Sequence, residues 1–86
     1  MPDEETLRRA VLEVLKQVAP EMNTTALDPN RSFRDQMGLD SIDFLNFVLG
    51  LEERLGMRIA ETDYPQLSCL RGCLSYMEQH PAPAAS

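Results

Sequence analysis

The chain has 86 residues and a formal net charge of −6, so it suffices for one domain, close to the lower size limit for folding without disulfides or metals. Hydrophobic residues make up 43% of the sequence, enough for one core, and no apolar run approaches the length that spans a bilayer. Seven acids against two arginines fall between positions 35 and 63; such a surface either serves solubility or attracts basic proteins while repelling nucleic acid and anionic lipid.

The first predicted element is a helix over residues 4–19. Glutamates occupy its first turn, where the helix dipole favours anions, and Pro20 ends it. The apolar residues recur at helical spacing and predict a buried stripe of Leu7, Val11, Val14, Leu15 and Val18. The chain starts with acidic residues where a signal peptide is basic and then apolar, so a cytoplasmic protein is expected.

A long connection follows, from residue 20 to residue 39. A structureless loop of this length is unusual in so small a domain, and the spaced apolar side chains of Met22, Leu27 and Phe33 are expected to hold it against the core. Residues 33–37 predict one helical turn, because the next residue is a glycine that tolerates the left-handed conformation.

Part of this connection is similar to the start of a calcium loop. Asp28, Asn30 and Ser32 have the spacing of the first three ligands. The sixth position of such a loop requires glycine and is Phe33 here, and the twelfth requires a bidentate glutamate and is Leu39. We therefore predict no calcium site, and no metal site elsewhere in the chain.

The second main helix is predicted over residues 41–55, with Asp40 or Ser41 as its cap and Gly56 at its end. Two apolar stripes lie on nearly opposite sides of the helical wheel. The first predicts the core face and contains Phe44, Phe47, Val48, Leu51 and Leu55. The second stripe contains Ile42, Leu45 and Leu49, flanked by Asp43, Asn46, Glu52 and Glu53. A second stripe rimmed by acids indicates a partner site, unless it packs on another part of the same domain.

The remaining chain predicts one short helical turn near residues 61–64, interrupted by Pro65, and a last helix over residues 69–79 capped by Ser68. The buried stripe of this last helix is predicted to contain Leu70, Cys73, Leu74 and Met77. The fold class is therefore all-α: a small four-helix bundle of three main helices and one short helix, with a long first loop. Residues 1–79 are expected to form the domain and residues 80–86 a disordered tail.

Few side chains in this sequence are suited to catalysis. The single histidine, His80, lies in the predicted tail, so a Ser-His-Asp arrangement is not expected. Cys69 and Cys73 lack the spacing of a redox pair or a zinc knuckle, and Cys73 falls on a buried stripe. Glycine-rich phosphate loops are absent from the sequence. We predict that the chain is not an enzyme.

The run Gly38-Leu39-Asp40-Ser41-Ile42 places a serine at the start of a helix. A serine in this position is most often only a cap. Here Gly38 permits a tight turn and Leu39 can anchor that turn in the core. The N–H groups and the dipole of the helix then favour a phosphate on the Ser41 hydroxyl.

Together with Ser32-Phe33 and the run Leu51-Glu52-Glu53-Arg54-Leu55-Gly56, this segment resembles the acyl carrier protein family, and the resemblance covers nearly the whole chain. It implies that a phosphopantetheinyl transferase attaches a 4′-phosphopantetheine arm from coenzyme A to Ser41, and that the arm holds acyl or aminoacyl groups as thioesters. We also expect a monomer, and the acidic middle of the chain predicts that it binds neither nucleic acid nor membrane. Loading and processing enzymes with basic docking surfaces are expected to recognise Asp40, Ile42, Asp43, Leu45, Asn46, Leu49 and Glu53.

Some residues depart from the pattern of fatty-acid carriers. Asn46 is uncharged where those proteins are often acidic, and Arg54 and Arg58 add positive charge near the helix end. Phe44 and Phe47 add bulk that would narrow a pocket for a long acyl chain. These departures predict a specialised or secondary-metabolic carrier, such as one for polyketides or nonribosomal peptides, rather than the carrier of fatty acid biosynthesis.

Two other hypotheses remain at this point. In the first, the chain is a non-covalent helical interaction module and Ser41 is merely a cap. In the second, it is a small enzyme. The sequence does not distinguish a free-standing carrier from a domain of a synthase, nor does it identify the cargo.

Overall fold

A computed structural model describes residues 4–21 and 27–79 of the chain, and this part contains five helices. They are α1 (Glu4–Val18), α2 (Phe33–Met37), α3 (Ser41–Leu55), a 3₁₀ helix (Glu61–Leu67) and α4 (Leu70–Gln79). The predicted all-α bundle with three main helices is confirmed, and its minor part consists of two short helices rather than one. Within these ranges, none of the helices is long and apolar enough to cross a membrane.

Helix α1 ends at Val18, one residue before the predicted boundary, although the Ala19 N–H still donates to the Leu15 carbonyl over 2.8 Å. Pro20 follows directly and has no N–H with which to continue the ladder. The buried face of α1 contains Leu7, Ala10, Val11, Val14 and Leu15. It packs against α3 and α4.

The connection to α3 is held in place as predicted where it is described. The Ser32 hydroxyl caps α2 by accepting a hydrogen bond from the Asp35 N–H over 3.0 Å. Phe33 is buried, and its ring meets that of Phe47 edge to face with centroids 5.2 Å apart. Leu27 is half-buried against the core, whereas Met22 lies outside the described residues.

The prediction that Pro65 interrupts its segment was wrong, because the 3₁₀ helix runs through it to Leu67. The fixed φ of proline is compatible with 3₁₀ geometry, so the ring costs only one donor. Cys69, and not Ser68, precedes α4 as its cap. The Cys69 carbonyl accepts from the Cys73 N–H over 3.0 Å, and its thiol accepts from the Gly72 N–H over 3.4 Å.

One core occupies the space between α1, α3 and α4. Its largest fully buried side chains are Phe33, Phe47, Leu15, Leu51, Leu67, Leu70, Val11, Val48 and Cys73. Val18, Phe44, Leu55 and Leu74, which the sequence assigned to buried stripes, are half-buried at its edges. Gly72 allows the 3₁₀ helix to approach α4, since a Cβ there would collide with the Gln66 carbonyl oxygen.

Candidate functional site

The turn between α2 and α3 fixes where α3 begins. Helix α2 ends at Gly38, which has a φ of +67°, in the left-handed region that favours glycine, and donates its N–H to the Arg34 carbonyl over 3.0 Å. The next side chain, Leu39, is buried in the core. The turn is thus anchored on both sides, as the sequence predicted.

Asp40 caps α3. Its Oδ1 accepts from the Asp43 N–H over 2.8 Å, and its carbonyl accepts from the Phe44 N–H over 2.9 Å. Of the two caps that the sequence allowed, the structure therefore uses the aspartate.

Ser41 is consequently the first residue inside α3 and not its cap. Its side chain is exposed, and its hydroxyl makes no hydrogen bond with any described residue. The interpretation of Ser41 as a capping residue does not agree with this geometry. The hydroxyl is held at a fixed place on the surface, where it is accessible to another molecule.

A cavity of about 280 Å³ lies beside Ser41, between α2, the start of α3 and the 3₁₀ helix. It is lined by Phe33, Arg34, Leu39, Asp40, Ser41, Phe44, Tyr64, Pro65 and Ser68. Phe44 meets the Tyr64 ring edge to face, with centroids 6.3 Å apart. Of the two phenylalanines expected to narrow a pocket, only Phe44 lines this cavity, because Phe47 is fully buried beneath it in the core.

The second stripe of α3 is exposed. Ile42 is 71% exposed, Leu45 44% and Leu49 48%, and these are the large hydrophobic side chains exposed on the described chain. No described element covers them, so the alternative in which the stripe packs within the domain is wrong for these residues. An apolar stripe left in water next to an accessible hydroxyl is typical of a docking face.

The acids predicted to rim this stripe have different roles. Glu52 Oε2 accepts from the Ile59 N–H over 2.7 Å and so ties the end of α3 to the following segment. Asp43 is half-buried at the first turn, while Asn46 and Glu53 are exposed. Asp40 combines its capping role with an exposed position. The charge available to a partner on this face therefore comes from Asp40, Asp43 and Glu53.

The two arginines near the end of α3 also differ. Arg54 forms an ion pair with Glu13 of α1, in which its Nη2 donates to both carboxylate oxygens over 2.7 and 3.2 Å. Its charge is therefore neutralised in an α1–α3 contact and adds no net positive charge beside the second stripe. Arg58 is exposed, beyond the end of the helix.

The cysteines and Tyr76 have structural roles. Burial, with a smaller effect of Cys69, raises the pKa of the Cys73 thiol far above its usual range, and this thiol donates to the Leu67 carbonyl over 3.4 Å. Burial and a 2.9 Å hydrogen bond to Asp63 raise the pKa of Tyr76. Neither group is prepared for nucleophilic chemistry. Over the described ranges, no group of three or more His, Cys, Asp or Glu residues is arranged to hold a metal ion.

Arg34, Tyr64 and Ser68 also line the cavity beside Ser41, and they were not among the predicted site residues. Tyr64 and Ser68 reach it because the 3₁₀ helix packs near the start of α3, more than twenty residues earlier in the chain. Arg34 lies in α2, which was predicted as one helical turn. Its proximity to Ser41, however, depends on the direction in which the chain leaves Gly38.

A family model described as a phosphopantetheine attachment site matches residues 5–76 of the chain. An acyl carrier protein of Zymomonas mobilis subsp. mobilis is 32% identical over 53 residues, which cover 62% of this chain and 68% of the relative. An acyl carrier protein of Solidesulfovibrio magneticus is 27% identical over 73 residues, which cover 81% and 94% of the two chains.

Proposed function

Because the chain belongs to the acyl carrier protein family, in which the prosthetic group is a covalent 4′-phosphopantetheine, we propose that Ser41 is its attachment point. The observation that carries this assignment is the position of Ser41: it follows the capping residue, is exposed, and keeps its hydroxyl free of hydrogen bonds to the described residues. The adjacent cavity leaves room for the first part of an arm. When attached, the arm supplies a thiol that holds an acyl or aminoacyl group as a thioester.

In the modification, the Ser41 oxygen would form a bond to the phosphorus of coenzyme A that carries the pantetheine. The bond from that phosphorus to the bridging pyrophosphate oxygen would break, and adenosine 3′,5′-bisphosphate would leave. The proton of the hydroxyl passes to a base. None of the described side chains hydrogen-bonds to the Ser41 hydroxyl, so the base is supplied by the phosphopantetheinyl transferase. The contribution of this chain is the fixed position of the oxygen, set by the Gly38 turn and the Asp40 cap.

Partner enzymes are proposed to dock on α3. The second stripe provides apolar contact area one to two turns from Ser41, and Asp43 and Glu53 provide charges that attract basic surfaces. Asp40, at the start of α3, and Asn46, within it, are also exposed and complete the proposed docking face. A partner bound here would lie next to the root of the arm.

The chain is further proposed to serve a specialised pathway rather than general fatty acid synthesis. Phe44 and Tyr64 together narrow the cavity beside Ser41, which favours short or rigid cargo over a long acyl chain. Arg54 no longer supports this proposal because Glu13 neutralises it. Enzymatic loading with a medium-chain acyl group tests the point: the chain should stay accessible to solvent, and its sequestration from solvent would contradict the proposal.

The attachment site is tested by incubating the protein with coenzyme A, magnesium and a broad-specificity phosphopantetheinyl transferase. The wild type should gain the mass of one phosphopantetheine, and Ser41→Ala should gain none. Ser68→Ala is the matched control, since Ser68 is exposed and lines the same cavity, and it should be modified like the wild type. A wild type whose mass does not change would favour the non-covalent interaction module instead.

A further inference from the structure

We propose that Arg34 holds the phosphodiester at the root of the arm and thereby orients the arm over the cavity beside Ser41. This inference rests on the proposed attachment at Ser41. Arg34 belongs to α2 and lines the same cavity of about 280 Å³ as Ser41. Because Ser41 lines this cavity, a group esterified to its oxygen starts beside the cavity.

A phosphodiester on Ser41 would lie close to acidic residues, and a nearby cation would offset their repulsion. A phosphodiester carries a negative charge, and Ser41 lies between Asp40 and Asp43 in the sequence. The sequence led us to expect that the start of α3 would favour a phosphate, but the Asp40 carboxylate already accepts from the Asp43 N–H. The positive end of the α3 dipole therefore has an anion in place before the arm is added. Repulsion between the phosphodiester and the Asp40 carboxylate, which lines the same cavity, disfavours an arm that lies over the cavity, and a cation there offsets this repulsion.

Arg34 is the one basic side chain among the nine residues that line the cavity, and Asp40 is the one acidic side chain. The Arg34 residue is exposed, and its guanidinium makes no ion pair or hydrogen bond with the described residues. Arg54 and Arg71, by contrast, are engaged by Glu13 and Asn30. Arg34 is therefore available to a ligand.

The backbone of Arg34 is nevertheless fixed, because its carbonyl accepts the Gly38 N–H that ends α2. The planar fork of a guanidinium matches two phosphate oxygens, which gives direction as well as attraction. A lysine in this place would supply charge without that direction. Arg34 is thus a positioning residue for the arm, and it takes no part in thioester chemistry.

The test compares the apo protein with the fully modified protein by NMR. The Nε–Hε resonance of Arg34 should shift on modification, whereas that of Arg31 should not, because Arg31 is exposed three residues earlier and does not line the cavity. The shift should shrink at about 1 M salt, where the Debye length is about 3 Å. In modified Arg34→Gln protein the ³¹P resonance should move toward that of the same phosphodiester in the urea-unfolded modified protein, with Arg34→Lys in between and Arg31→Gln unchanged.

Other results would contradict either the positioning role of Arg34 or the attachment at Ser41. If the intact mass shows complete modification but the Arg34 resonance shifts no more than that of Arg31, the positioning role is wrong while attachment at Ser41 stands. If Arg34→Gln slows the transferase and leaves the ³¹P resonance of the product unchanged, the arginine serves the encounter with the enzyme and the positioning role is again wrong. Absence of any modification would overturn both claims together.

Discussion

Replacing Ile42 with alanine should weaken the binding of a partner to the proposed docking face while leaving the stability of the fold nearly unchanged. Ile42 is 71% exposed on the second stripe, and complete burial of an isoleucine side chain is worth about 1.5–3 kcal/mol. Most of that free energy is therefore available to a partner, about 1–2 kcal/mol, and less than about 1 kcal/mol contributes to folding. A loss of this size corresponds to roughly a 5- to 30-fold change in affinity.

The assay is the rate of phosphopantetheine transfer to apo protein at limiting concentration, which gives kcat/KM for the carrier as substrate. Ile42→Ala should lower kcat/KM by about 5- to 30-fold, and urea unfolding should show a loss below about 1 kcal/mol. Leu12→Ala is the matched control, because Leu12 is a half-buried leucine on α1 away from the stripe, and its kcat/KM should stay unchanged. A wild-type kcat/KM for Ile42→Ala, or an equal loss in both variants, would refute the proposed docking. A loss of stability in Ile42→Ala as large as that of a core substitution would refute it as well.

Three further predictions concern the fold around the site. Gly72→Ala should destabilise the protein by about 1–3 kcal/mol in urea unfolding despite the better helix propensity of alanine, because the added Cβ collides with the 3₁₀ helix; equal or greater stability would contradict that contact. Burial and the hydrogen bond to Asp63 raise the pKa of Tyr76 above its ordinary value of 10.0, so stability should be full below about pH 10 and decline as the pH rises from there through the higher folded-state pKa. The stability of Tyr76→Phe should lack the part of this decline that is due to Tyr76. A pH dependence of stability equal to that of the wild type would show that Tyr76 does not cause the decline. In the native protein a thiol reagent should label half-buried Cys69 before buried Cys73, and equal rates would show that the core opens easily.

Much of α3 could be predicted from the sequence because strong local signals mark both of its ends. The left-handed glycines, Gly38 and Gly56, bound the helix and its preceding turn, and helical spacing separated the core face from the exposed stripe. The choice between Asp40 and Ser41 as the cap could not be predicted, since both residue types are good caps. The structure decides it, and the decision leaves the Ser41 hydroxyl available.

The cavity beside Ser41 was beyond sequence reasoning because it depends on packing between distant segments. Pro65 is ordinarily a helix breaker, yet here it lies within a 3₁₀ helix that carries Tyr64 next to Phe44. Arg54 was likewise expected to add positive charge near the end of α3, since nothing local indicates its ion pair with Glu13, 41 residues away.

The most direct test of the account is to locate the phosphopantetheine on the modified wild-type protein by fragmentation mass spectrometry. We expect the added mass on Ser41, with the other described serines, Ser32, Ser68 and Ser75, unmodified. Added mass on any of those serines, or none anywhere after treatment with an active transferase, would contradict it.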